Sequence, residues 1–318
     1  MKTLRLIALA FACALPTAQA AGYPEKPIRI IVPFTPGGSA DILARLIGQK
    51  LCEAWGQQVI ADNRPGANGV VAADIAAKAN PDGHTLMFVA IGHAINPLLQ
   101  KNLPYDADKD FAAVSLTAIL PQMLALNPKN SATNLRELLA LAKGAKPVNY
   151  ATGGVGSSQH LATELMAYMA KVKLNHIPYK GGNQGLLDVI AGHVDFTITT
   201  ALTVVPHMQA KRVRAIAVST AKRLDVAPDV PTMAEAGIPG YESVAWYGMV
   251  APAGIPPKVM EKLAAETIKA TNSVEMKTAL IKQGAIPVGN TPKEFTAFIK
   301  NERAKYAKVI KEAGIKAE

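Results

Sequence analysis

From Ile28 onward, short apolar runs rich in β-branched residues alternate with stretches of helical periodicity. IRIIV is followed by a helical pattern from about Asp41 to Trp55, QVIADN by one from about Gly69 to Lys78, and TLMFVA comes next. Strand and helix in strict alternation leave few solutions besides an α/β architecture with mainly parallel sheets, because parallel neighbours need a crossover and the helices supply it. In the first helical pattern Leu43, Leu46, Ile47, Leu51 and Ala54 recur on one face, which therefore needs a sheet to cover.

The turn that opens this helix, VPFTPGGSADILAR, has a counterpart in the middle of the chain. There VNYAT runs through GGVGSSQ into HLATELMAYMAK, with Leu161, Leu165, Met166 and Met169 on one face. Two extended apolar stretches, SLTAILPQMLALNP and VAWYGMVAPAGIPP, bracket the middle block. The chain is thus expected to leave a first lobe, build a second and return. Residues 21–121 plus 244–318 would form lobe 1, and residues 122–243 lobe 2. Two helical patterns close the chain, the second with Thr291 as N-cap, Pro292 at the first helical position and Glu294 completing a capping box. Phe295, Phe298, Ile299, Tyr306, Val309 and Ile310 form its packing stripe.

The first 20 residues place Lys2 and Arg5 before an apolar run and end in Ala18-Gln19-Ala20, the pattern of a Sec-type signal peptide cleaved after Ala20. No later window is apolar enough for a membrane span, so the mature chain is expected to be soluble and exported. Of 34 Lys and Arg against 24 Asp and Glu, Lys2 and Arg5 fall in the leader, which leaves a mature net charge of +8. That field attracts anionic small molecules, whereas no block of like charges points to nucleic acid. Only Cys52 survives processing, which excludes an intramolecular disulfide, and the six histidines have no metal-ligand spacing. No cofactor is expected.

Each glycine loop sets unpaired backbone N–H groups at a helix N-terminus, a place that attracts an anion. Neither loop has the Lys of a P-loop or the full spacing of a dinucleotide fingerprint, so a carboxylate suits these donors better than a phosphate. Either loop alone could equally be a plain strand-to-helix turn. Asp41 suits the first turn of its helix and can pair with Arg45. Ser157, Ser158 and His160 raise the alternative of an exported serine hydrolase, but no G-x-S-x-G elbow is present, and the hydroxyls fit better as N-cap and ligand donors. AIGHAINP, with Gly92, His93 and Asn96, and DFTITTALTVVP, with Thr199 and Thr200, are expected as further loops at the carboxyl ends of strands, as is the stretch carrying Tyr179, Lys180, Gly181 and Gly182.

Taken in order, YPEKPIRIIVPFTPGGSADILARL, GQQVIADNRPGANGVVAADIAAKANPDGHTL, NYATGGVGSSQHLATEL, HIPYKGGNQGLLDVIAGHVDF, VRAIAVSTAKR and PTMAEAGIPGYESVAWYGMVAPAGIP resemble the Bug family, the substrate-binding proteins of tripartite tricarboxylate transporters. The resemblance covers the mature chain. It implies a two-lobed periplasmic binding protein of type II topology, each lobe a mostly parallel sheet flanked by helices, with two crossing segments as hinge. It also implies a periplasmic monomer that closes on a small organic acid and serves two integral-membrane permease subunits. The acid would be a di- or tricarboxylate, an aromatic carboxylate or an acidic amino acid. By position, the resemblance assigns ligand binding to Pro36, Gly37, Gly38, Ser39, Ala40 and Asp41 in one loop. In the other it assigns Gly154, Gly156, Ser157, Ser158 and His160. Phe34, Ile91, Gly92, Val155, Thr199, Thr200 and Ala201 would set specificity. A sensor presenting its ligand to a membrane kinase would share this closure.

Overall fold

The computed structural model describes residues 22–313; the signal-peptide expectation for residues 1–20 lies outside them. The first lobe opens with β1 (Ile28–Val32), α1 (Ser39–Trp55), β2 (Val59–Asn63), a turn of 3-10 helix at Ala67–Gly69, α2 (Val70–Ala77), β3 (Thr85–Val89) and α3 (Ile91–Leu99). Strand β1 lies between β2 and β3, parallel to both. Its residues are apolar almost throughout because both faces are covered. Ile30 points to the side where α1 buries Leu43, Ala44, Ile47 and Leu51, and Ile31 to the side where α2 buries Ala72, Ala73 and Ala76.

Helix α3 corrects the expectation of a loop at AIGHAINP. Gly92 and Pro97 made the stretch look broken, yet both have a place in a helix here. A side chain at position 92 would run into the Asn68 carbonyl, 2.6 Å away, so the glycine answers a close approach. His93 is buried edge-on against Phe111, with ring centroids 5.1 Å apart. Tertiary packing outweighs the weak local propensity.

After the long β4 (Phe111–Leu126) and α4 (Leu135–Ala142), the second lobe repeats the first pattern with β5 (Asn149–Thr152), α5 (Ser158–Ala170), β6 (Asn175–Pro178), α6 (Gly182–Ala191), β7 (Phe196–Thr200), α7 (Ala201–Gln209) and β8 (Arg214–Val218). Strand β5 is parallel to β6 and β7 on either side, as β1 is to its neighbours. The chain returns at Ser243, whose N–H donates to Ser219, and continues as β9 (Val244–Pro252), α8 (Pro257–Asn272), α9 (Val274–Ile281), β10 (Ile286–Pro287) and α10 (Pro292–Ala313).

Strand β4 joins the two halves. From Phe111 to Pro121 it pairs antiparallel with β9, with two register shifts; from Gln122 to Leu126 it pairs with β7. Strand β8 holds the other edge of its last residues, so the sheet order reads β2-β1-β3-β9-β4-β7-β5-β6. Each lobe therefore has three parallel strands joined to antiparallel crossing strands. The capping box forms as expected, with Thr291 N–H on the Glu294 carboxylate at 2.8 Å and Glu294 N–H on the Thr291 hydroxyl at 3.3 Å. It starts α10, whose Phe295 and Phe298 meet Trp246 of β9 edge-on while Trp246 Nε1 donates to Glu302 at 2.9 Å.

Candidate functional site

The two glycine loops are built by one device. Gly37 has a φ of 80° and Gly156 of 75°, the left-handed turn that lets a strand double back into a helix. The N–H of Gly37 donates to Asp41 Oδ2 at 3.0 Å, and the N–H of Gly156 donates to His160 Nδ1 at 3.2 Å. In both cases a side chain in the first turn of the helix ties down the loop four residues earlier. Asp41 Oδ1 also accepts from Arg45 Nε and Asn63 Nδ2, each at 3.0 Å. Burial alone would raise the Asp41 carboxyl. The hydrogen bonds from Arg45, Gly37 and Asn63, with the Arg45 charge, outweigh it and hold the group below its ordinary value.

His160 is held neutral, pushed down to about 4 by burial. Its ring lies against His176, with centroids 4.5 Å apart, and its Nδ1 is taken by the Gly156 amide, which argues against a base aimed at Ser158. Ser157 caps α5 by accepting from the His160 N–H at 3.3 Å.

Between the lobes lies a narrow cleft. It is lined at the starts of α1 (Ser39, Ala40), α3 (Ala90, Ile91), α5 (Ser158, Gln159) and α6 (Gly181, Gly182, Asn183), and by Thr199 and Thr203 around the start of α7. Five helices thus turn their N-termini toward one space, and among the described residues no Lys or Arg lines it. The first intrahelical bonds run from Ile42 to Gly38 and from Leu161 to Ser157, so the amides of Ser39, Ala40, Ser158 and Gln159 come before them. Phe34, Ile91 and Tyr247 add apolar wall. Among the described residues no cluster of His, Cys, Asp or Glu could hold a metal, and no helix is long and apolar enough to cross a membrane.

The lobes are in contact across the cleft. The Ser39 and Thr200 hydroxyls meet at 2.5 Å, and the Gly181 backbone lies against Thr35. Gly156 lies so close to the first lobe that a Cβ there would stand 2.8 Å from Leu99 and 3.0 Å from Asn68. Two buried polar atoms of lining residues, Thr35 Oγ1 and Asn68 Oδ1, have no hydrogen-bond partner among the described residues.

Of the residues singled out by sequence, Phe34, Gly38, Ser39, Ala40, Ile91, Ser157, Ser158 and Thr199 line this cleft. Gly37, Asp41, Gly156 and His160 shape the loops from behind. Pro36 is not among the lining residues. Gly92 packs under Asn68, Thr200 makes the cross-lobe contact, and Ala201, the first residue of α7, is buried in the core. Gly154 and Val155 line an outer groove with Tyr179 and the exposed Lys180. Sequence alone did not single out Thr35, Asn68, Ala90, Gln159, Asn183, Thr203 or Tyr247. The N-terminal position of Gln159 and Asn183 in their helices was the available signal for two of them.

Two α/β lobes joined by crossing strands, with an interlobe cleft at helix N-termini, are the architecture of a periplasmic binding protein. The chain belongs to the tripartite tricarboxylate transporter family receptors, whose family model matches residues 43–315. It is similar to BugT of Bordetella pertussis, at 36% identity over 92% of this chain and 91% of that one. Among solved structures it resembles a Rhodopseudomonas palustris protein with adipate, at 35% identity and a TM-score of 0.90 over 93% of this chain and all of that one. It also resembles MatC of Rhodopseudomonas palustris with bound malate, at 32% identity and a TM-score of 0.85 over 91% of this chain and all of that one.

Proposed function

We propose that the protein is a periplasmic, monomeric receptor that captures a small organic acid in the interlobe cleft and delivers it to the integral-membrane permease subunits of a tripartite transporter. The observation that carries the reading is the convergence of five helix N-termini on a cleft without a fixed cation. Such a cleft offers many weak positive dipoles in place of one counter-ion. The first-turn amides of Ser39 and Ala40 hold the acid from one lobe, and those of Ser158 and Gln159 hold it from the other. The hydroxyls of Ser39, Ser158 and Thr199 complete the set.

The lobes divide as residues 21–121 plus 244–318 and residues 122–243, and the hinge falls where β4 exchanges β9 for β7 between Pro121 and Gln122. When the lobes separate, both sets of amides return to water; only when they meet can one acid bind both, so the ligand stabilises the closed form. The permease subunits read that form. The solved relatives with adipate and malate support a dicarboxylate of four to six carbons. Apolar Phe34, Ile91 and Tyr247 suit a carbon chain or ring between the carboxylates better than a third charge.

A thermal-shift screen of the mature protein against succinate, malate, adipate, citrate, terephthalate, nicotinate, aspartate and glutamate tests this. A cognate acid at 100 times its Kd adds about 2.7 kcal/mol and raises Tm accordingly. If no organic acid shifts Tm and calorimetry finds no heat of binding, the receptor reading falls.

A further inference from the structure

Asn68 stands at the cleft with one polar atom to spare. The residue is 8% exposed and holds a left-handed backbone, φ 49° and ψ 40°, in the 3-10 turn between β2 and α2. Its neighbours determine which way its amide faces. The Asn68 backbone carbonyl can only accept, so the Asn96 group 3.2 Å from it is the NH2. The Asn96 oxygen then faces the Asn68 side chain, also at 3.2 Å, and it too can only accept. Asn68 therefore gives its own NH2 to Asn96, which leaves Oδ1 as a buried acceptor with no partner among the described residues, in a residue that lines the cleft.

A carboxylate oxygen cannot satisfy this atom, since both accept, and a methylene cannot either. Thr35 Oγ1 is also buried without a partner, but a hydroxyl rotates to donate or accept and so discriminates little. We infer that Asn68 is a specificity-determining residue: its Oδ1 accepts a hydrogen bond from a hydroxyl or ammonium group carried by the acid. The site then prefers hydroxy- or amino-substituted carboxylates to their unsubstituted parents, an inference that rests on the carboxylate reading above. A buried acceptor left unpaired weakens binding by about tenfold to a hundredfold relative to one that is paired.

Calorimetry on the mature protein with acids matched in length provides the test: succinate with malate and aspartate, glutarate with 2-hydroxyglutarate and glutamate, adipate with 2-hydroxyadipate. The substituted acid of the fitting length is expected to bind about tenfold to a hundredfold tighter than its parent. In Asn68→Gly, where glycine keeps the left-handed backbone without strain, that ratio is expected to fall close to one. Equal or tighter binding of the parents by the unmutated protein overturns the inference without need of any variant, as does an unchanged ratio in Asn68→Gly. If none of these acids binds the unmutated protein while citrate, terephthalate or nicotinate does, the inference falls and the carboxylate reading stands; if none of those binds either, both fall.

Discussion

Gly181 separates closure from folding. It precedes α6 with φ 176° and ψ 147°, an extended conformation open to any residue, so Gly181→Ala brings no backbone strain. What the added Cβ meets belongs to the other lobe: it would overlap Thr35 Oγ1 and lie 3.2 Å from the Thr35 amide nitrogen. The hydroxyl can rotate away, but the nitrogen moves only with the whole loop after β1. Overpacking of this kind costs about 1–3 kcal/mol, and because the hydroxyl can yield, the lower part of that range, ~1–2 kcal/mol, is expected. With the lobes apart the methyl faces solvent, so the penalty falls on the closed form alone. At 1.4 kcal/mol per decade, affinity for the cognate acid drops about 5- to 30-fold. Calorimetry on Gly181→Ala, Thr35→Ala and the double variant measures this, alongside urea unfolding without ligand. The double variant should recover part of the loss, since residues in contact couple. Unchanged affinity in Gly181→Ala would refute the reasoning, and so would a loss of unliganded stability as large as the loss of binding energy.

His160 and Gly248 give two further tests. Because burial holds His160 near a pKa of about 4, the unfolded chain takes up a proton below pH ~6.5 that the folded chain refuses. Its contribution is therefore complete above pH ~6.5 and is lost as the pH falls through the folded value, a change of order 3 kcal/mol. His160→Gln keeps an acceptor for Gly156, and urea unfolding at pH 7.5 and 4.5 should show a smaller acid loss than in the unmutated protein; equal losses would sink the assignment. Gly248→Ala would press a Cβ into the Phe295 ring and to 2.9 Å from the Ser115 carbonyl, which should lower stability by about 1–3 kcal/mol. An unchanged urea midpoint would contradict that packing.

Local chemistry carried much of the fold into view. PGGSAD and GVGSSQH were readable because glycine at a left-handed turn and a polar first helical turn are local requirements, visible wherever they occur. The crossing segments could be read from their length and apolarity. By contrast, α3 hid behind Gly92 and Pro97, since the contacts that make it a helix, Gly92 on Asn68 and His93 on Phe111, come from distant parts of the chain. Gly181 and Gly182 were placed near the cleft, but nothing local says that position 181 meets Thr35. Asn68 was harder still, because its free acceptor follows from a hydrogen-bond chain through Asn96, 28 residues on. Tyr247 looked like any other apolar residue of a buried strand.

The absence of any lysine or arginine among the described residues of the cleft wall also divides the expected time course of capture. In the proposed receptor, an acid approaching from solution feels the mature chain's net charge of +8, a long-range pull that salt screens over about 10 Å at 0.1 M. Seated as proposed, it would be held by amide and hydroxyl dipoles at bonding distance, where mobile ions do not intervene. Raising ionic strength therefore slows arrival and leaves residence time nearly untouched, so salt changes how often the receptor loads more than how long it stays loaded.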